Sequence, residues 1–261
     1  MHVVSIDPAP SKDAVIFDGQ MQYIQASEVP AFCRGLSQKA DTLLCWDAPL
    51  TGPSLNNEIE ALVGTFSQRQ IEQFFSRTET GFKAPSGISV LPYSGCPHWA
   101  ITRASIGLPI CGEFDRSIEE LPFRLLTDTR EITPGIPRVV ETHPAVAIWL
   151  WCRGLDDEDD PRPWVYKGRK PTRTILEIWT TLSGVWAGTQ VPKVVNTINN
   201  IEPPKNDDEL DAIVGWVLGE FLVARLPSVG ILGTFSTGAI ALPIDDDLRT
   251  SFSTFLQDNA R

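Results

Sequence analysis

The sequence lacks any run of about 18 apolar residues, so it offers no helix suited to crossing a membrane. Its opening, Met1-His2-Val3-Val4-Ser5-Ile6-Asp7, lacks the basic stretch and long apolar run of a signal peptide, so none is expected. It has no C-x-x-C pair. The cysteines (Cys33, Cys45, Cys96, Cys111, Cys152) are odd in number and widely spaced. That argues against a disulfide framework and a cysteine zinc site, and points to a reducing cytoplasm. Basic residues are outnumbered, 22 Lys and Arg against 33 Asp and Glu, for a net charge of −11. A chain-wide basic surface for nucleic acid is thereby excluded; a local basic groove or an acidic cation site is not. Glycine is missing from Asp7-Pro8-Ala9-Pro10-Ser11-Lys12. An ATP-using domain of the actin and sugar-kinase type needs a glycine-rich phosphate loop there, so that reading is weakened.

Apolar residues make up 42% of the 261-residue chain and charged residues 21%, enough for one packed core. Residues 1–261 therefore read as a single domain. There is no internal repeat. The acidic run Asp156 to Asp160 reads as a solvated loop, because adjacent carboxylates cannot all converge on one ion.

Local patterns place the elements. Val3–Ile6, Asp13–Phe17 and Met21–Ile24 read as strands, with Asp18-Gly19 turning the second into the third. Val29–Lys39 reads as a helix and Thr42–Trp46 as a fourth strand. Ser54 can cap a helix carrying Leu55, Ile59, Leu62, Val63 and Phe66. Gly81–Pro97 reads as loop. The span 51–133 lacks a strong strand signal and is expected to be a helical and loop insertion. Pro137–Val140 leads as a strand to Glu141, and Pro144 opens a helix reaching Cys152. After a loop from Gly154 to Lys170, Ile175 to Trp186 mark an amphipathic helix. Asn206 can cap the next helix, with Glu209 three residues on. Strands over Ile231–Phe235 and Ala239–Leu242 and a helix over Asp246–Gln257 complete the pattern. Trp149, Trp179 and Trp186 fall at helix-core spacing.

Four acids sit at comparable places. Asp7, Asp47 and Glu141 end strands, and Asp211 lies on the late helix with Asp208 one turn earlier. Strand-end carboxylates can face the crevice outside an open α/β sheet, where ligands gather. Each can equally be a turn or cap residue. Asp211 borders an apolar helix face between Leu210 and Ile213, where a charge is costly unless paired or coordinated. Gly215, one turn on, leaves space beside it. Spacing alone does not choose between Asp207 and Asp208 as its helical companion. Carboxylates gathered in one pocket repel, so a cation must neutralise them or some must protonate. Such donors suit Mg²⁺ or Mn²⁺. Two of these ions about 3.5–4 Å apart support phosphodiester hydrolysis.

Ser5-Ile6-Asp7-Pro8, Trp46-Asp47-Ala48-Pro49, Glu141-Thr142-His143-Pro144 and Asp208-Glu209-Leu210-Asp211-Ala212, in this order, resemble the domain-of-unknown-function family 429, predicted nucleases of RNase H-like fold. The resemblance runs in outline from Asp7 to the C-terminal hairpin and is weakest between Asp47 and Glu141. It implies a mixed five-stranded sheet flanked by helices, its first three strands antiparallel, with the insertion between the fourth and fifth strands. It also implies two-metal hydrolysis by Asp7, Asp47, Glu141, Asp208 and Asp211. Asp208 and Asp211 look like the D-x-x-D-A helix of RuvC-type resolvases, which favours Asp208 over Asp207. His143 can orient a water or the scissile phosphate, or simply start a helix. Lys12 can contact phosphate or be a solvated turn lysine. Trp164, Tyr166, Lys167 and Arg169 form the densest basic and aromatic stretch and are the preferred nucleic-acid contact. Tyr93, His98, Trp99 and Arg103 are a second such mixture, or packing of the insertion.

The expected activity is therefore a metal-dependent phosphodiesterase with nucleic acid or a nucleotide as partner. The alternatives are a non-catalytic binding module of the same fold and the ATP-using domain.

Overall fold

Alternation along the first strand sets the layers. β1 (His2–Asp7) turns Val3 toward one hydrophobic cluster and Val4 and Ile6 toward another, as side chains on successive strand residues must. β4 (Thr42–Trp46) does the same, with Leu43 and Cys45 on the first side and Leu44 and Trp46 on the second. A strand buried on both faces needs helices on both faces. The protein, described by a computed structural model over residues 1–51, 69–90, 98–108, 121–155, 160–168 and 170–259, is accordingly an α/β fold.

The sheet is mixed. β2 (Ala14–Phe17) and β3 (Met21–Ile24) form an antiparallel hairpin on β1, and Gly19 between them takes a φ of 106°, a conformation that glycine tolerates best. On its other side β1 pairs in parallel with β4, β4 with β6 (Arg138–Glu141), and β6 with β5 (Arg124–Leu125). The order is β3-β2-β1-β4-β6-β5, so the sheet has six strands where five were expected. The sixth is a two-residue edge strand from within the 51–133 span. It has no pattern of its own and exists through its pairing with β6.

α1 (Val29–Ser37) and α3 (Trp99–Ile106) cover the face carrying Trp46, whose indole donates to Thr102 Oγ1 at 3.0 Å. The opposite face is covered by α4 (Pro144–Cys152), α5 (Ile175–Ala187), α6 (Pro192–Ile198) and the buried helix α7 (Asp207–Val223). α2 (Gln70–Ser76) packs beside the hairpin of β7 (Val229–Thr234) and β8 (Gly238–Pro243), and α8 (Asp246–Asp258) closes the chain. A single bridge, Thr142 to Ala241, ties that hairpin to the end of β6. Among the described residues no helix is long and apolar enough to cross a membrane.

Most elements fall where their patterns put them. Asn206 caps α7, its Oδ1 accepting from the Glu209 amide at 2.9 Å. The short helix α6 was not foreseen: its seven residues make barely two turns, and its buried face is only Val194 and Ile198. The helix read after Ser54, Tyr93 and Arg169 lie outside the described residues.

Candidate metal centre

β1, β4 and β6 run parallel, so their C-terminal ends meet at one edge. Asp7 ends β1. Asp47 follows β4, its amide donating to Ile6 O at 3.1 Å, which fixes the two aspartates side by side. α7 packs across β1 so closely that a Cβ on Gly215 would lie 2.2 Å from Ser5 Oγ, and one on Gly219 2.5 Å from Val3 Cγ1. That close approach brings Asp211, one turn before Gly215, over the strand ends. The space expected beside Gly215 is thus filled by Ser5 and Thr142. Carboxylate oxygens of Asp7, Asp47 and Asp211 lie within 4.8 Å of one another.

Three separate elements therefore aim negative oxygens at one point. Asp211 is fully buried and Asp7 is 9% exposed. Burial, with repulsion from Asp211 second, raises the Asp7 carboxyl to about 7. Burial also pushes Asp47 well above the usual carboxylate range, with repulsion from Asp7 the next cause. Asp211 is raised by burial and held back by Lys167 and Tyr166. Protons at such a site belong to the group of acids rather than to one residue.

The neighbouring acids are already engaged. Glu141 accepts from Arg69 Nη1 and Nη2 at 2.8 and 2.6 Å and from the Leu50 amide at 2.7 Å. The same guanidinium binds Glu72, at 2.9 Å, and Thr51 O, also at 2.9 Å. Asp208 accepts from Lys12 and lines the pocket, whereas Asp207 does not. Arg69 was not singled out from the sequence. Its partner is 72 residues away, and no local pattern signals such a pair.

Trp164, Tyr166 and Lys167 of the basic and aromatic stretch turn inward. Lys167 forms an ion pair with Asp211, and Tyr166, buried, donates its hydroxyl to the other oxygen of the same carboxylate. Burial and Asp211 keep that phenol protonated, far above its ordinary range. Trp164 is 7% exposed and lies under the Arg173 guanidinium, 4.4 Å from carbon to ring centroid. Trp164 and Tyr166 are thus corrected from surfaces that stack bases to buried residues. Lys12, too, is paired with an acid rather than standing free.

His143 and His98 line the cavity with these groups, which encloses about 480 Å³. Burial, with Lys167 and Arg69 nearby, lowers His143 to about 4, so its ring is neutral near pH 7. His98 is lowered as well, chiefly by burial.

Hard oxygen donors suit Mg²⁺ or Mn²⁺. Two ligands on one such ion lie at most about 4.2 Å apart, given bonds of about 2.1 Å. Comparison with family models, with curated proteins and with solved structures finds no match to this chain.

Proposed function

We propose that the protein is a divalent-metal-dependent phosphodiesterase whose substrate is a nucleic acid or a nucleotide. One observation carries this reading: Asp7, Asp47 and Asp211, from three elements, converge within 4.8 Å at the open edge of the sheet. The strand order, with an antiparallel β1–β2–β3 unit followed by parallel strands, agrees with the RNase H-like topology that the motif resemblance implies.

Asp7, Asp47 and Asp211 would hold Mg²⁺ or Mn²⁺. When bound, such an ion supplies a Lewis acid for a phosphoryl oxygen and makes a water more acidic. The chain's own groups do the rest. Lys167, at the cavity wall, adds positive charge where a phosphate would approach. His143, uncharged and with Nδ1 buried without a partner among the described residues, can orient a polar group without adding charge. Glu141, saturated by Arg69 and Leu50, holds the strand ends together rather than taking part as a free acid. The net charge of −11 disfavours a long duplex and favours a small or single-stranded substrate.

The test is cleavage of a mixed panel of RNA, DNA and nucleotide diesters with Mn²⁺. Wild type should turn over at least one class. Asp7→Asn should lose on the order of 10²-fold or more, since even outer-shell changes at metal sites cost about 10–100-fold. Mn²⁺ binding without turnover of any substrate would instead favour a non-catalytic binding module.

A further inference from the structure

We infer that Lys167 takes the place of one cation of a two-ion site, so that the aspartate cluster binds a single divalent ion. The inference rests on the metal reading above and changes its ion count.

The first ground is where the ammonium sits. Lys167 pairs with Asp211, and Asp47 and Asp7 are the next charges it feels. A positive charge is already supplied to all three acids by the chain. Asp211 offers Oδ2 to Lys167 and Oδ1 to Tyr166. Both its oxygens are engaged, while among the described residues none donates a hydrogen bond to Asp7 or Asp47.

The second ground is the state of the other acids. A pair of ions about 3.5–4 Å apart needs carboxylates on both sides. Of the nearby acids that could serve, Glu141 has both oxygens bound by Arg69, and Asp208 gives Oδ2 to Lys12, so each already faces a cation of the chain. The carboxylates left without a cationic partner of their own are Asp7 and Asp47, which would hold one ion with Asp211 beside it.

The third ground is that Lys167 is built into its place. Val165 O accepts from the Thr172 and Arg173 amides at 2.8 and 3.0 Å, closing the segment into a loop. Arg173 pairs with Asp160 and donates to Arg162 O at 2.9 Å, and Arg162 reaches Glu177 on α5 at 2.9 Å. Gly168, at a φ of 85°, lets the chain turn away directly after Lys167. Val165 presses on Gly87, where a Cβ would meet it at 2.8 Å. A lysine that merely contacted phosphate from a free loop would need none of this.

The experiment is a Mn²⁺ titration of the full chain. Calorimetry counts bound ions, and electron paramagnetic resonance detects spin coupling between close ones. Asp7→Asn serves as the background for weak surface sites. Wild type should bind one ion, with the spectrum of isolated Mn²⁺. Lys167→Met should bind two, with a coupled spectrum, and Lys167→Arg should stay at one. A coupled pair in wild type, or a single ion in a folded Lys167→Met, overturns the inference and leaves the metal reading intact. Should Lys167→Met fail to fold, the wild-type spectrum decides alone. Absence of Mn²⁺ binding in every variant overturns both.

Discussion

Arg69 and Glu141 meet edge to edge, Nη1 to Oε2 at 2.8 Å and Nη2 to Oε1 at 2.6 Å, with both side chains 2% exposed. The pair joins the chain before α2 to the end of β6, beside the aspartate cluster. Removing one partner of a buried pair leaves an uncompensated charge and costs about 3–5 kcal/mol. Arg69→Met takes the guanidinium from both Glu141 and Glu72 and should fall in that range. Glu141→Gln leaves Arg69 with Glu72 and should cost less. Urea unfolding with a chelator present checks the order; equal losses would show that Glu72 gives Arg69 no alternative partner.

The raised Asp7 carboxyl makes a statement about pH. In the unfolded chain it releases its proton near pH 4; in the folded chain, near 7. At Asp7 the native state binds more protons between those values, so this group's contribution to metal-free stability falls as pH rises from about 4 to 7 and levels off above, while the lowered His143 acts in the opposite sense between about 4 and 6.5. Asp47 and Asp211 are shifted the same way. Asp7→Asn should flatten the slope and, in chelator at pH 8, exceed wild type by on the order of 2–4 kcal/mol. A pH slope in Asp7→Asn equal to that of wild type would contradict the account of the cluster.

Close packing of α7 on β1 positions Asp211. On Gly219 a Cβ would lie 2.5 Å from both Cys45 Sγ and Val3 Cγ1, two buried core groups. Overpacking of this kind costs about 1–3 kcal/mol. Gly219→Ala should lose that much stability and weaken Mn²⁺ binding as well, because the helix must lift. Thermal unfolding with and without Mn²⁺ separates the two effects. A stability loss with unchanged metal response would show that the helix tilts without moving Asp211.

How much of this was legible in the sequence depends on distance along the chain. The β2–β3 hairpin, the Asn206 cap and the strand over Val3–Ile6 are local signals, and each reads directly from neighbouring residues. Asp7, Asp47 and Asp211 were legible as strand-end and helix-border acids, because an acid in an apolar setting asks for a partner. β5 was not, since two residues make a strand only when β6 lies beside them. The Arg69–Glu141 pair was not legible for the same reason. Lys167 was seen, but its direction was not. Basic residues among aromatics look alike whether they face solvent or turn inward, and only the fold places Asp211 opposite. Gly168, directly after Lys167, was the one local sign of a turn.

The most direct test of the central claim is a crystal of the protein soaked in Mn²⁺ and measured for anomalous scattering. The account predicts a peak in contact with carboxylate oxygens of Asp7 and Asp47, beside Asp211, and no such peak in Asp7→Asn. Wild-type density that is empty there, with Mn²⁺ bound only at surface acids, would contradict it.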